Sequence, residues 1–385
     1  MHQVIVVGAG PAGAHLAYLL AREGIDVLLL EKERLPRYKP CAGGVAPKAR
    51  RFLDFDLSPV IEDTVRTVVL AYHKAEPITA TRDQSVVYTV SRDRFDAFIV
   101  NKAKEAGVEV REGARVRQVE ACNSGILVHA GGREWPGQIL VGADGAQSVV
   151  ARALGMVRRK ITAVTLTKEV PVSGERLERS RGTIKVNYGK APGTITWVFP
   201  KVDRLSIGAG TISPRFKGLH PFLQQMTIEE GLAEPAAMTR ARGWTIPYNP
   251  KPDLLHHGRA LVVGDAAGLA DPLTGEGIYA ALLSARLAAE VIADQVKKPR
   301  PDLSYYTGLV RKKMMPEMLI AYKVSRLFHL APGVFHGILQ HRRDLAAGFI
   351  ALVAGDITYA EFFNSLVRWL PATLLTAVRN RSLPF

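Results

Sequence analysis

The first 31 residues constrain the fold more than any other part of this 385-residue chain. Four apolar residues lead into a turn with Gly8, Gly10 and Gly13, and a helical pattern over His15–Arg22 leads into a second apolar run, Val27–Leu30. In such a unit Gly8 permits the tight turn, Gly10 lets the backbone approach a pyrophosphate, and Gly13 lets the helix pack closely on the strand. The sequence therefore predicts a strand, a turn, a helix and a second strand that together bind a dinucleotide.

An acidic residue, Glu31, directly follows the second strand of this strand–turn–helix–strand unit. Glu31 falls 18 residues after Gly13, where a carboxylate can accept hydrogen bonds from an adenosine ribose. The helix start offers N–H groups and the positive end of a helix dipole to phosphate. Ala12 at the helix start and Lys32 beside the acid are therefore further candidate cofactor contacts. The alternative is that Glu31 is an ordinary surface acid.

Two later apolar runs also end in a carboxylate. One run ends at Asp144 and Gly145, and the other ends at Gly264 and Asp265. An acid at such a strand end can hold a ribityl hydroxyl, and this favours FAD over NAD as the dinucleotide.

A glycine-containing loop follows the second of these acids. It carries Gly275 and Gly277 and introduces a predicted helix that begins at Ile278 and ends at Gln295. A helix start stabilises negative charge, so this one can face the pyrimidine edge of a flavin. Gly275, Gly277 and Ile278 are therefore candidate flavin contacts.

The order of these motifs resembles that of the two-domain FAD proteins of the para-hydroxybenzoate hydroxylase type. In that family a glycine pattern lies near the start, a Gly-Asp-Gly-like motif lies mid-chain, and a Gly-Asp pair lies near two-thirds of the chain. The resemblance implies that Arg92, which precedes a predicted helix, lies near the cofactor. The alternative is that Arg92 neighbours a helix cap and forms a salt bridge with Asp96.

The remaining segments predict a second layer and a helical end. Alternating runs at residues 182–188, 194–199 and 204–211 indicate an antiparallel meander. The expected fold class is α/β, with a Rossmann-type FAD-binding domain, an inserted antiparallel β-sheet domain for the substrate and a helical C-terminal region. Their expected residues are 1–62, 91–160 and 256–298 for the first, 63–90 and 161–255 for the second, and 299–385 for the third. The substrate should lie between the sheet and the flavin, because sites favour domain interfaces.

Two further motifs indicate one particular family among these FAD proteins. The segment Leu35-Pro-Arg-Tyr-Lys-Pro-Cys41-Ala-Gly43-Gly44 follows the acid, and seven residues separate Trp197-Val-Phe199-Pro200 from Gly208-Ala-Gly210. Together they resemble the geranylgeranyl reductase family, whose members use FAD to saturate prenyl double bonds. The resemblance covers essentially the whole chain. It implies that Cys41, Gly43 and Gly44 lie near the flavin, and that the substrate site includes Ile195, Trp197, Phe199 and Pro200.

The chain departs from the family pattern at two positions. Ala42 replaces the glycine that commonly follows the cysteine, and Ile195 replaces a frequent tyrosine. Alternatives also stay open for the matching residues. Cys41 can be a small buried filler, and Trp197 and Phe199, which point to one face of a strand, can be plain core residues.

The resemblance implies an FAD-dependent oxidoreductase that acts on the CH–CH groups of a prenylated lipid or a prenyl diphosphate. An isolated alkene has no carbonyl that would polarise it, so we expect apolar walls that exclude water from the developing cation. The proton donor is open between Cys41, a bound water and the flavin itself. The electron donor is open between NADPH and reduced ferredoxin, because no second glycine pattern marks a nicotinamide domain.

Two rival functions share this scaffold. Aromatic monooxygenases and halogenases use the same fold, since fold does not determine function, but they would need a polar site for an aromatic acid. A prenyl-binding carrier related to the GDP-dissociation inhibitors would have lost its flavin site. The presence of Glu31, Asp144 and Asp265 argues against the carrier.

The charge is the remaining feature. With 51 Lys and Arg against 36 Asp and Glu, the net charge is +15, and residues 297–385 carry 13 of the basic and 5 of the acidic residues. No nucleic-acid module accompanies this charge, so we expect no nucleic-acid partner.

No apolar run reaches the roughly 18 residues of a membrane span. Two cysteines without a CxxC motif predict neither a disulfide scaffold nor a metal site. We expect a cytoplasmic enzyme that docks peripherally on an anionic membrane surface through Arg311, Lys312 and Lys313; the alternative is a solvated basic face.

Overall fold

The computed structural model describes residues 1–122, 125–157, 160–213, 215–232, 240–252 and 254–370. In chain order its strands are β1 (His2–Val7), β2 (Val27–Leu30), β3 (Gly44–Val45), β4 (Ile61–Val65), β5 (Thr67–Tyr72), β6 (Ile78–Thr81), β7 (Val87–Val90), β8 (Glu109–Arg111), β9 (Val116–Cys122), β10 (Gly125–Ala130), β11 (Arg133–Gly142), β12 (Ile161–Pro171), β13 (Thr183–Tyr188), β14 (Thr194–Pro200), β15 (Arg204–Thr211), β16 (Arg242–Tyr248), β17 (His256–His257) and β18 (Ala260–Val262). Its α-helices are α1 (Pro11–Arg22), α2 (Pro47–Arg50), α3 (Arg92–Glu105), α4 (Val149–Ala153), α5 (Gly174–Ser180), α6 (Leu219–Glu229), α7 (Ile278–Gln295), α8 (Ser304–Lys313), α9 (Met315–Leu330), α10 (Pro332–His341), α11 (Arg343–Ala354) and α12 (Tyr359–Leu366).

The first sheet contains the strands that end in the predicted cofactor residues. Its order is β17–β18–β11–β1–β2–β8, with the β9–β10 hairpin attached to β11. The strands β2, β1, β11 and β18 are mutually parallel. Their apolar runs are buried on both faces, as is typical of parallel strands that helices cover. Their carboxyl ends therefore meet at one edge, where such sheets bind ligands.

Helix α1 begins at Pro11, four residues before the predicted start. Proline suits the first turn of a helix because its missing N–H has no partner there in any case. The residues Ala12, Gly13 and Ala14 are buried, and their small side chains let α1 pack closely against α3 and α7. This packing fixes the glycine turn at the sheet edge.

The second sheet has the order β16–β12–β15–β14–β13–β5–β6. The predicted meander forms its centre as β13, β14 and β15. Neighbouring strands are antiparallel except for β13 and β5, which run parallel. This sheet lies over the first one and forms the roof of the cavity described below.

A small third sheet joins three distant segments in the order β3–β7–β4. Residues 63–90, which we expected in the substrate domain as one piece, therefore divide between two sheets. Strands β5 and β6 join the second sheet, whereas β7 pairs with β4 on one side and with β3, the strand that follows Cys41, on the other. The domain boundaries themselves stay a prediction.

The C-terminal region is helical from α8 to α12. Residues 335–353 belong to two helices, α10 and α11, because Arg342, in the polar stretch of residues 341–344, leaves the helical conformation at φ −120° and ψ 87°. Side chains of α9, α10 and α11 pack against β5 and β13 in one apolar cluster. None of the described helices combines the length and hydrophobicity needed to cross a membrane. Residues 371–385 of the predicted region lie outside the described residues.

Candidate active site

A cavity of about 1230 Å³ lies between the first sheet, the second sheet and the C-terminal helices. It is larger than the ~300–1000 Å³ of an ordinary ligand pocket. The structure places nearly all predicted site residues in its wall. The predicted residues that do not line it are Gly13, Gly43, Gly264 and Pro200.

The three glycines of the first turn have different surroundings. A Cβ on Gly8, which has a φ of +102°, would lie 2.4 Å from the carbonyl oxygen of Ala143, and one on Gly13 would lie 2.0 Å from the carbonyl oxygen of Gly8. A Cβ on Gly10 would meet no protein atom within 4 Å. Gly8 and Gly13 are thus required by internal packing, whereas Gly10 leaves a cradle that a pyrophosphate can approach.

Glu31 is a buried component of this turn, with 3% of its surface exposed. Its Oε2 accepts a hydrogen bond from the N–H of Ala9 at 2.8 Å, and its Oε1 accepts one from the N–H of Glu33 at 3.1 Å. The guanidinium of Arg37 lies 3.6 Å from Oε1. Glu31 is therefore not a surface acid, and it couples the end of β2 to the glycine turn.

Asp144, at the end of β11, retains acceptor capacity. Its Oδ2 accepts a hydrogen bond from the N–H of Val149 at 2.7 Å. Its Oδ1 is buried and has no hydrogen-bond partner among the described residues. A buried acceptor without a donor is costly, so this atom fits the hydroxyl-bearing part of a bound FAD.

The end of β18 adds a second carboxylate to the cavity. The N–H of Gly264 donates to Ser284 Oγ at 3.0 Å, which fixes the turn that presents Asp265. The ammonium of Lys39 lies 3.9 Å from Asp265 Oδ2. Helix α7 begins nearby with Gly277 as its N-cap and no side-chain cap, so its N-terminus is open to a ligand in the cavity.

Arg92 forms the salt bridge that the sequence offered as an alternative, and it also lines the cavity. Its Nε and Nη2 donate to Asp96 at 2.8 and 2.9 Å. Arg37 donates to the same carboxylate at 3.0 Å. Burial opposes the charge of Arg92, but the proximity of Asp96 and Cys41 outweighs burial and raises its pKa. Arg37 and Arg92 thus share one buried carboxylate at the cavity wall.

The loop that carries Cys41 is held by hydrogen bonds from its own backbone and from the side chain of Lys201. The N–H of Gly43 donates to Cys41 Sγ at 3.3 Å, and Gly43 has a φ of +75°. The ammonium of Lys201 donates to the carbonyl oxygens of Ala42 at 2.7 Å and Val90 at 2.5 Å. Burial lowers the pKa of Lys201 to about 8. The loop therefore depends on a lysine that follows the second motif, at the end of β14.

In the second motif, which runs from residue 197 to residue 210, the ring of Trp197 packs over Gly208. Trp197 on β14 pairs with Gly208 on β15, and a Cβ on Gly208 would lie 2.0 Å from the indole ring. Phe199, two residues along β14, lies against Gly44, where an added Cβ would be 3.1 Å from the phenylalanine ring. The motif thus places one ring over β15 and another against the Cys41 loop.

Cross-strand register divides the cavity-facing side of the second sheet into two halves. The apolar half lies on β5, β13 and β14, and the side chains of Phe328 and Phe335 face it from the helices. The other half lies on β12 and β16, and its lining is mixed. Lining residues of the apolar half are Val68, Leu70, Ile184, Val186, Tyr188 and Ile195, and those of the mixed half are Ala163, Val164, Thr165, Thr167, Arg242, Trp244, Thr245, Ile246 and Tyr248.

The departure at Ile195 is compensated by the neighbouring strand. Tyr188 on β13 pairs directly with Ile195, so its ring lies on the same face. Its hydroxyl is 2.7 Å from His336 Nδ1, and His336 Nε2 lies 3.0 Å from the carbonyl oxygen of Glu76. A tyrosine therefore lines this part of the cavity although position 195 lacks one.

Comparisons with known proteins agree with this geometry. Residues 1–203 match the FAD binding domain family. The chain is 30% identical over 339 residues to the geranylgeranyl diphosphate reductase of Rhodobacter capsulatus, covering 85% of this chain and 83% of that protein. The chain belongs to the geranylgeranyl reductase family of FAD-dependent oxidoreductases.

Solved structures place this family member in a wider fold group. A geranylgeranyl bacteriochlorophyll reductase-like protein from Thermoplasma acidophilum superposes with a TM-score of 0.77 at 20% identity, covering 98% of both chains. The flavin-dependent brominase Bmp2 superposes equally well, with a TM-score of 0.77 at 20% identity, over 96% of this chain and 98% of that one. At these identities the likeness concerns the fold alone. The predicted fold class, FAD as cofactor and the oxidoreductase class are confirmed.

Sequence reasoning missed several residues of this site. Lys39, Tyr188, Arg242 and Trp244 line the cavity, and Lys201, which does not line it, holds the Cys41 loop. Lys39 lies inside a quoted motif and could have been included for its charge. Lys201 carries no local signal, because the carbonyls it contacts are 159 and 111 residues away in the chain.

Proposed function

We propose that this protein is an FAD-dependent reductase that saturates C=C double bonds of a prenyl chain of the geranylgeranyl type, in isoprenoid lipid, quinone or chlorophyll metabolism. One observation carries the proposal. The apolar half of the cavity is continuous with the end that holds Gly10, Asp144 and Asp265, so a long hydrocarbon can reach a bound flavin. When bound, reduced FAD supplies the hydride for such a reduction.

The chain's own residues would prepare the site for an unactivated alkene. Trp197, Phe199 and Ile195 present apolar walls that keep water from a developing cation. The thiol of Cys41 is the proposed proton donor. Its S–H bond breaks as the proton passes to one alkene carbon while the other receives the hydride, and the thiolate regains a proton from water. Arg92, which lies close to the sulfur, would stabilise the thiolate.

An anaerobic experiment tests the function. The bound flavin is reduced, and geranylgeranyl diphosphate, a prenylated quinone, a chlorophyll precursor or an archaeal-type lipid precursor is added. The substrate should reoxidise the flavin and gain two mass units for each double bond. Turnover only with oxygen and an aromatic compound would instead support the rival monooxygenase or halogenase function.

The electron donor is proposed to be NADPH or reduced ferredoxin. The net charge of +15 would suit an acidic protein donor, because charge complementarity speeds association. Stopped-flow reduction of the oxidised flavin by each donor, at low and high salt, separates the two. A strong salt dependence is expected for ferredoxin alone.

The basic C-terminal region supports docking of a cytoplasmic enzyme on anionic lipid. On α8, Tyr305 is 67% exposed, and Lys312 follows seven residues later, which places both on one helix face. Charge reversal at Arg311, Lys312 and Lys313 should abolish binding to vesicles with anionic phospholipid. Vesicles of neutral lipid are the control, and binding that survives the reversal would leave a solvated basic face.

A further inference from the structure

The apolar half of the cavity has two distinct ends, because the register of β13 and β14 aligns their lining residues in rows. Phe199 on β14 lies against Gly44, so the row that contains it adjoins the Cys41 loop. Tyr188 on β13 pairs with Ile195, four residues before Phe199 along β14. At about 3.4 Å per residue, the row of Tyr188 is therefore roughly 14 Å from the row beside the Cys41 loop.

The cavity lining stops at the row of Tyr188 on β5 and β13. On β5, Val68 and Leu70 line the cavity, whereas Tyr72, the next residue on the same face, does not. Tyr72 pairs with Tyr188, which is the last residue of β13 and is 2% exposed. On this side of the cavity, the space for an apolar ligand therefore ends at the ring of Tyr188.

A buried histidine holds Tyr188 from the side away from the cavity. His336 on α10 is 2% exposed and does not line the cavity. Its Nε2 lies 3.0 Å from the carbonyl oxygen of Glu76, which can only accept, so in the neutral imidazole this nitrogen carries the hydrogen. Its Nδ1 then accepts a hydrogen bond from the Tyr188 hydroxyl at 2.7 Å. The hydroxyl is thus satisfied within the protein, and Tyr188 presents its ring to a ligand.

Aromatic rings pack around Tyr188 on its other sides. The ring centre of Phe328 on α9 lies 4.8 Å from that of Tyr188, and the ring centre of Tyr72 lies 5.7 Å from it. Phe335 on α10 continues the array, 5.2 Å from Phe328. Close-packed interiors resist the insertion of even one additional methylene group. A hydrocarbon chain that reaches Tyr188 therefore meets a rigid wall.

We propose that Tyr188, held by His336, limits the length of the prenyl chain that the apolar half accepts. The inference rests on the proposed function and deepens it, because it makes chain length, counted from the Cys41 loop, a property that the site selects. A depth of roughly 14 Å holds only part of an extended C20 chain, so the terminal isoprene units would reach the ring. A C25 chain would have to fold back or leave past Gly193, which lines the cavity beyond Ile195.

The test measures binding of farnesyl, geranylgeranyl and geranylfarnesyl diphosphate, which carry C15, C20 and C25 chains. Isothermal titration of the FAD-loaded protein gives the three Kd values. In the wild type, the Kd for C25 should exceed that for C20 about tenfold or more, the scale on which an apolar pocket rejects a group that is too large. In Tyr188→Leu, which shortens the side chain, this ratio should fall about tenfold, whereas Tyr188→Phe keeps the ring and should keep the ratio. Tyr188→Trp, which enlarges the ring, should raise the Kd for C20 relative to C15.

Tyr306→Leu is the matched control for loss of a buried tyrosine. Tyr306 is fully buried, its hydroxyl donates to the carbonyl oxygen of Val262 at 3.0 Å, and it does not line the cavity. The Kd ratio in this variant should therefore stay at the wild-type value, even where stability falls.

Three results would overturn the length limit and leave the reductase function intact. They are equal Kd values for C20 and C25 in the wild type, an unchanged ratio in Tyr188→Leu, and a fall in Tyr188→Phe as large as in Tyr188→Leu. The proposed function fails separately, if no prenyl substrate reoxidises the reduced flavin, because the dependence of binding on chain length is measured without turnover.

Discussion

Single glycines in the first turn meet two different requirements. Gly8 and Gly13 leave no space for a Cβ, because backbone atoms would lie within 2.4 Å of it. Gly10 has open space instead, which is the condition for close approach of a ligand. Sequence spacing could predict all three roles, since they arise from neighbours within one strand–turn–helix unit.

At the residue scale, Cys41 is the residue whose chemistry can be tested most directly. Cys41→Ser should slow reoxidation of the reduced flavin by a prenyl substrate in a single turnover by about 10²- to 10⁴-fold, the usual contribution of a general acid. Rapid-mixing absorbance of the flavin measures this rate. Cys122→Ser, at the other cysteine of the chain, should react at the wild-type rate.

An unchanged rate in Cys41→Ser, with an unchanged flavin spectrum, would contradict the proton-donor role. Cys41 would then be a small filler between Gly43 and the cavity. Its hydrogen bond from the Gly43 N–H would in that case serve only to shape the loop.

At the element scale, Lys201 joins the end of β14 to the Cys41 loop and to β7. Lys201→Met should leave the carbonyl oxygens of Ala42 and Val90 without a donor and lower the free energy of unfolding by about 2 to 4 kcal/mol. Urea unfolding measures this loss. The Cys41 thiol should also react faster with a thiol reagent, because the loop loses its anchor.

Lys168 offers a matched control within the same sheet. Its side chain is also buried, with 5% exposure, and burial alone lowers its pKa. Lys168→Met should therefore cause little loss of stability and no change at Cys41. Equal losses in the two variants would mean that Lys201 acts by burial and not through its two hydrogen bonds.

Elements with strong local patterns could be predicted from the sequence, and their pairing could not. Helix α7 has the predicted bounds, and the meander forms as β13, β14 and β15 within one or two residues. The parallel pairing of β13 with β5 joins segments more than 100 residues apart, and no local periodicity encodes it. The break between α10 and α11 lies at Arg342, within the polar stretch of residues 341–344.

At the scale of the whole molecule, the cofactor half of the site follows from sequence and the substrate half follows from tertiary structure. The cofactor residues follow the ends of parallel strands in one sheet, so their motifs predict their common edge. Arg242 and Lys39 come together only because the second sheet lies over the loop before Cys41. The contrast between the apolar lining on β5, β13 and β14 and the mixed lining on β12 and β16 follows only from the pairing of these strands.

Global stability should depend on pH through a histidine that the reaction does not use. His15 in α1 is fully buried, neither ring nitrogen has a hydrogen-bond partner among the described residues, and burial lowers its pKa from 6.5 to about 4. Because the unfolded chain takes up this proton at higher pH than the folded chain, stability is complete above pH 6.5 and falls as the pH drops toward 4. Between pH 7 and pH 5, urea unfolding should show a loss about 2 kcal/mol larger in the wild type than in His15→Leu. Equal losses of stability in the wild type and in His15→Leu would mean that another group causes the acid sensitivity. His329, whose pKa burial also lowers to about 4, would then be the next residue to replace.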